Sequence, residues 1–296
     1  MKLIYKIENN NHKTVKDILI SHFHISHRLL IKLKNLNNIF LNNFPCTVSK
    51  EICIGDIICV NLNYPEDNSN IVPRKMELDI LYEDDAYIIV NKPYGIPVHP
   101  SISHFEDSLS NGIKYYFDTI GLQKKIRPVN RIDKDTSGIV IFAKNEYIQE
   151  LLIQQMNSKQ FVKEYIAIVE GLFENKKGII NLPIARKENS IIERCVNSSG
   201  MPSITHYEVI KELKNISVLK CYLETGRTHQ IRVHLSYIGH PLLGDELYGG
   251  NLSHINRQSL HSYYVSFIHP IKNCIVEYTC KFPEDLQNLL ESYVNI

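Results

Sequence analysis

Long apolar runs are missing from this 296-residue chain. None approaches the roughly 18 residues that a membrane-spanning helix needs. The opening stretch, Met1 to Asn10, lacks signal-peptide anatomy, because its apolar core is short and is broken by Lys6 and Glu8. The seven cysteines are an odd number without any CxxC spacing. The pairs Cys53/Cys59 and Cys274/Cys280 read as strand residues, so reduced thiols in a cytoplasmic protein are expected rather than a disulfide framework or a zinc site. His229 and His234 stand five apart, which is not the spacing of a helical zinc motif. No segment repeats, and no glycine-rich phosphate loop appears, so chemistry driven by a bound nucleotide has no anchor. What remains, 44% hydrophobic and 22% charged, is ordinary globular material, long enough for two domains with one sizeable core.

A surplus of charge is also missing overall, yet the net +1 hides an asymmetry. Residues 1–60 carry eight basic groups against four acidic ones, so the remainder sums to −3. A basic module joined to a near-neutral body points to a polyanion partner, although a solvated helix face with chance excess charge has the same count. Within that module, residues 14–22 and 26–35 read as two short helices from the recurrence of Val15, Ile18, Leu19 and of Leu29, Leu30, Leu33. Ser26 is placed to cap the second, which carries Arg28, Lys32 and Lys34. Strands are expected at 39–41 and 54–60, followed by a Pro-, Asp- and Asn-rich connection. The expected division is 1–66, a linker at 67–77, and a larger domain at 78–296.

The densest information lies between Arg127 and Lys144. Arg131 to Gly138 is a polar turn, and Ile139 to Ala143 is an apolar, β-branched run that reads as a buried strand. The turn has three readings. Asp, Ser and Gly favour turns for local reasons, which would make it an ordinary surface feature. Asp133, Asp135, Ser137 and Gly138 also fit the first half of a calcium loop, but the twelfth position holds Lys144 and a strand follows where a helix belongs. The third reading is a catalytic carboxylate beside an arginine, presented rigidly at the mouth of a buried strand.

Asn130-Arg131-Ile132-Asp133, then Thr136-Ser137-Gly138-Ile139, resembles the signature of the RluA-type pseudouridine synthases, which reads His-Arg-Leu-Asp, two variable residues, Thr-Ser-Gly-Leu. Asn130 in place of His is the one substantial departure. Three further segments are similar in order. These are Asn91-Lys92-Pro93 with Gly95; Lys163, Tyr165, Ala167, Val169 and Gly171; and Gly226-Arg227-Thr228-His229-Gln230-Ile231-Arg232 with His234. The closing run from Arg257 to His261, with Phe267, His269 and Pro270, matches as well, so the resemblance covers about 78–285. Residues 173–215 read as loop-rich, and Met201 stands where the family has a lysine.

The resemblance implies an α+β fold, with a mostly antiparallel mixed sheet and flanking helices. It implies an RNA pseudouridine synthase, an isomerase needing no cofactor and no metal. Asp133 is then the nucleophilic carboxylate, Arg232 its neighbouring cation and Tyr165 the ring stacked on a flipped uracil. Arg131, Arg227 and His229 become RNA contacts. The N-terminal module resembles the alpha-L RNA-binding domain, named from a small-subunit ribosomal protein, through its two helices and Gly55-Asp56. That assigns RNA contacts to Arg28, Lys32 and Lys34, and makes large-subunit ribosomal RNA the expected partner, with tRNA open. A monomer is expected. Two alternatives carry different consequences: a non-catalytic RNA-binding or ribosome-assembly protein keeping the fold, and a glycoside-cleaving enzyme, which would want a second carboxylate that only Asp135 could supply.

Overall fold

A computed structural model describes residues 1–9 and 11–294. In chain order the elements are β1 (Lys2–Lys6), α1 (Val15–Ser21), α2 (His27–Asn35), β2 (Ile39–Leu41), β3 (Phe44–Pro45), β4 (Ile57–Asn61), β5 (Asp79–Glu83), β6 (Tyr87–Lys92), α3 (Leu109–Thr119), β7 (Arg127–Pro128), β8 (Ser137–Ala143), α4 (Glu146–Asn157), β9 (Val162–Glu170), β10 (Lys177–Asn181), β11 (Ile184–Arg186), β12 (Arg194–Val196), β13 (Ile204–Leu213), β14 (Ile216–Leu223), α5 (Gln230–Tyr237), β15 (Leu260–Ile268), β16 (Ile275–Thr279) and α6 (Glu284–Val294).

Residues 1–61 hold a four-stranded sheet in the order β1-β4-β2-β3. Ser26 caps α2 by accepting the Leu29 N–H at 3.3 Å. Gly55 takes a φ of +93°, and Asp56 then folds back to accept the Cys53 N–H at 2.8 Å. That turn shortens the strand expected from residue 54, so β4 begins at Ile57.

The rest is organised on one large sheet running β10-β13-β14-β9-β15-β8-β6-β5, with β16 on β15 and β7 on β8. All its pairings are antiparallel except β15 with β8. That parallel seam requires Gly138: its φ is +115°, and a Cβ there would lie 2.2 Å from the Ser262 carbonyl oxygen. Alternation along the strands feeds two faces. Val140 and Phe142 of β8 join Ile88 and Val90 of β6, Tyr165 and Ala167 of β9, and the apolar sides of α3 and α5. Ile139 and Ile141 face the other way, into a cluster with α4 that runs on without a break into the core of residues 1–62.

The contact between the two sheets is also ionic. Glu66 receives a two-pronged contact from Arg127 at 2.7 and 2.8 Å and an ion pair from Lys32 at 2.7 Å. Burial pushes its carboxyl up, but the two cations pull it down to about 2. Glu146 takes Lys32 and the Tyr64 hydroxyl, both at 2.6 Å.

Three expectations change. The 173–215 stretch carries β10, β11, β12 and β13 rather than loops, because its alternating Lys and Glu residues lie on exposed strands. Thr228 reads from sequence as the residue that caps the following helix, but the cap of α5 is His229. Of the four cysteines read as strand residues, only Cys59 lies in a strand, and Cys53 and Cys274 are exposed.

Candidate active site

The turn from Arg131 to Thr136 is fixed at both ends. Asn130, buried, donates from Nδ2 to the Ile139 carbonyl and accepts the Ile141 N–H at Oδ1, each at 2.9 Å. It thereby clasps β8 on the strand that leaves the turn, a job needing one donor and one acceptor on a short side chain. At the other end, Thr136 donates its N–H to the Asp133 carbonyl at 3.1 Å. Two buried cations then hold the intervening carbonyls. Lys92 Nζ donates to the Lys134 carbonyl and to those of Pro93 and Ile96, all at 2.8 Å. Arg257 donates to the Asp135 carbonyl at 3.2 Å while gripping Asp285 of α6 with two nitrogens, at 2.6 and 2.9 Å. Burial pushes Lys92 down to about 7, against the pull of the Asp135 and Asp133 carboxylates.

Held this way, the Asp133 side chain enters a cavity of about 690 Å³ that is also lined by Tyr165, Arg232, His229, Arg131 and Arg227. All six residues assigned to the large domain by sequence therefore share one cleft. Arg232 NH1 donates to Asp133 Oδ2 at 3.1 Å. On its other edge Arg232 makes a two-pronged contact with the buried Asp245, at 2.7 and 2.8 Å. Burial disfavours the guanidinium charge, but Asp245 and Asp133 together hold its pKa above the ordinary arginine value. The Tyr248 ring covers its face, 4.9 Å from the guanidinium carbon.

Tyr248 also sets the neighbouring histidine. His229 caps α5 with a φ of +57°, a left-handed conformation uncommon for a residue with a Cβ. Its Nδ1 lies 2.8 Å from the Tyr248 hydroxyl, which accepts the Arg194 N–H at 2.9 Å. Its Nε2 lies 3.9 Å from Asp133 Oδ2. Burial lowers the His229 pKa, although Asp133 draws it the other way. Tyr165 is buried on the strand that forms the opposite wall, and burial, then the Asp133 charge, raise its pKa and keep the phenol neutral. Gln230 ties the loop before α5 to β13, donating to the Ile204 carbonyl at 2.9 Å and accepting the Arg227 N–H at 3.0 Å.

The N-terminal cations lie elsewhere. Lys32 is spent on Glu66 and Glu146, so it serves the contact between the two sheets. Arg28 and Lys34 are exposed and have no carboxylate partner among the described residues. Among those residues, no group of three metal-ligating side chains occurs. Sequence reasoning missed Asp245, Tyr248 and Arg257, and it passed over Lys163, which lines the same cleft. The signal for Lys163 was available: β alternation sets it on the same strand face as Tyr165.

A carboxylate beside a buried guanidinium, facing a buried aromatic ring in an open cleft with arginines at its mouth, defines an enzyme that handles a nucleic-acid base. The family model for RNA pseudouridylate synthases matches residues 86–237. Over 241 residues the chain is 42% identical to the uncharacterized RNA pseudouridine synthase YhcT of Bacillus subtilis (strain 168), covering 81% of this chain and 80% of that one. It is 34% identical to ribosomal large subunit pseudouridine synthase D of Blochmanniella floridana, covering 85% of each. The solved structure of human RNA pseudouridylate synthase domain containing 1 superposes with a TM-score of 0.57 at 26% identity, over 70% of this chain and 84% of that one. The chain belongs to the RluA-type RNA pseudouridine synthases. It is thus an isomerase that acts on uridine in RNA.

Proposed function

We propose that Asp133 is the catalytic carboxylate of this synthase and that its target is structured RNA of the large ribosomal subunit. The reaction breaks the bond between the ribose and nitrogen 1 of uracil, turns the base, and rejoins it through carbon 5, which then loses its proton. It is redox-neutral and needs no donor. The protein must supply an ionised nucleophile, a support for the extruded base, and a way to take the carbon-5 proton. The observation that carries the reading is the 3.1 Å contact between Arg232 and Asp133 Oδ2 inside the cleft. The guanidinium engages Oδ2 and fixes the carboxylate's orientation, leaving Oδ1 to the substrate. Tyr165 supports the uracil; base–aromatic stacking contributes about 1–3 kcal/mol, comparable to the cost of unstacking the base. Arg131 and Arg227 meet the backbone at the cleft mouth, and His229 contacts the base or ribose.

The ribosomal target is supported by the 34% identity to a relative named as a ribosomal large-subunit enzyme. Of the three cations on α2, Arg28 and Lys34 are the ones left available to RNA. Pseudouridine mapping of cellular RNA tests the reading. Cells lacking the protein should lose pseudouridine at one or a few large-subunit positions, and a copy carrying Asp133→Asn should fail to restore them. Loss confined to tRNA would overturn the target, and restoration by Asp133→Asn would overturn the carboxylate's role.

A further inference from the structure

Several lysines on or beside the large sheet are neutralised by carboxylates. Lys220 lies 3.8 Å from Glu164, Lys177 lies 2.8 Å from Glu208, and Lys176 lies 2.7 Å from Glu212. Lys159, at the cleft itself, is paired with Glu224. Lys163 is different. It has no carboxylate partner among the described residues, and its ammonium faces the cleft that holds Asp133. Its pKa is lowered by burial alone, with no neighbouring anion to offset the loss of water. A half-buried cation without a counter-charge is costly unless a ligand supplies one.

The surroundings of the ammonium define what can fit. Gly226 lies opposite, and a Cβ there would come 3.9 Å from Lys163 Nζ. The absence of a side chain at Gly226 leaves an opening beside the ammonium, next to the exposed Arg227. Along β9, Lys163 and Tyr165 are alternate residues on one face, which separates them by about 7 Å. That is the reach from a base to the phosphate of its own or the adjoining nucleotide.

We propose that Lys163 Nζ, over the bare backbone of Gly226, is a subsite for the RNA phosphodiester next to the uridine whose base rests on Tyr165. The subsite rests on the reading of the cleft as the uridine site, and it assigns Lys163 to holding the strand rather than to bond breaking. Phosphate supplies the missing negative charge, and the three protons of the ammonium serve its two free oxygens. A lysine used as a point charge suits a backbone contact that must tolerate any neighbouring base.

The test is RNA binding by the full chain over a range of salt concentrations, with a short oligouridylate as the probe. It is paired with single-turnover pseudouridine formation at saturating enzyme, on RNA from cells lacking the protein. Each phosphate neutralised contributes about 0.7 to the slope of log affinity against log salt for a single strand. Lys163→Met should lower that slope by about this amount, weaken binding several-fold at low salt, and leave the saturated rate within about twofold of wild type. Lys163→Arg should restore the slope. An unchanged slope in Lys163→Met overturns the subsite. A collapse of the saturated rate with unchanged binding also overturns it, by moving Lys163 into the chemistry. The binding readout needs no turnover, so it stands apart from the assignment of Asp133, and unfolding curves of both variants separate either result from misfolding.

Discussion

Arg232 and Asp245 form a buried two-pronged pair, at 2.7 and 2.8 Å, that leaves a single guanidinium nitrogen free to reach Asp133. Asp245 therefore aims Arg232. Replacing it with Asn keeps the shape but removes the charge that holds the guanidinium in place. Breaking a buried pair by removing one partner costs about 3–5 kcal/mol, and a displacement of about 1 Å at a reacting group costs about a hundredfold in rate. Asp245→Asn is expected to lower kcat by about two orders of magnitude, with a smaller change in RNA affinity. Steady-state kinetics beside a direct binding assay checks this; a pure KM effect contradicts it.

Tyr248 performs two tasks that one substitution separates. Phenylalanine keeps the ring over Arg232, at 4.9 Å in the native site, but removes the hydroxyl that meets His229 and accepts the Arg194 N–H. A buried donor left unpaired costs about 1–3 kcal/mol. Tyr248→Phe is expected to lose stability on that scale and to slow the reaction about tenfold, whereas Tyr248→Ala should lose far more through the exposed face of Arg232. Equal effects of the two variants on kcat would show that the ring contributes nothing.

Asn130 gives a prediction against its own family resemblance. It bonds both the Ile139 carbonyl and the Ile141 N–H, so its role is to hold β8 against the strand before the turn. Asn130→Ala leaves both groups without that partner and is expected to cost about 2–6 kcal/mol in urea unfolding, at about 1–3 kcal/mol for each buried group. A change below about 0.5 kcal/mol, the scale of an ordinary surface substitution, contradicts the role.

Lys92 makes a prediction about pH. Burial lowers its pKa to about 7 in the folded chain, from an ordinary value of 10.5. Between those values the unfolded chain keeps a proton that the folded chain has released, so this residue makes stability rise with pH across that window. The slope reaches at most about 1.4 kcal/mol per pH unit. Lys92→Met removes it. Unfolding free energies measured from pH 7 to 10 should rise less steeply in the variant, and parallel curves would refute the shift.

Much of the cleft was readable in advance because Asp133, Tyr165 and Arg232 each sit in a run of residues whose order is distinctive. Their supports were not. Asp245 and Tyr248 meet Arg232 only because the chain turns back after α5, and nothing in the spacing of a lone Asp and a lone Tyr announces that. Lys32 shows the opposite failure. Its helical position beside Arg28 reads as a nucleic-acid contact, but Glu66 and Glu146, 34 and 114 residues away, claim its charge. The strands between residues 177 and 213 were hidden for a related reason: one face is open to solvent, so their apolar alternation is diluted by Lys and Glu.

The central claim is that Asp133 carries the reaction while contributing little to holding RNA. It is tested most directly by tritium release from carbon-5-labelled uridine in RNA, with purified Asp133→Asn beside the wild type and RNA binding measured on the same samples. The account predicts that the variant folds and binds RNA within a few-fold of wild type, yet releases no tritium above background. Release at the wild-type rate by that variant would contradict it.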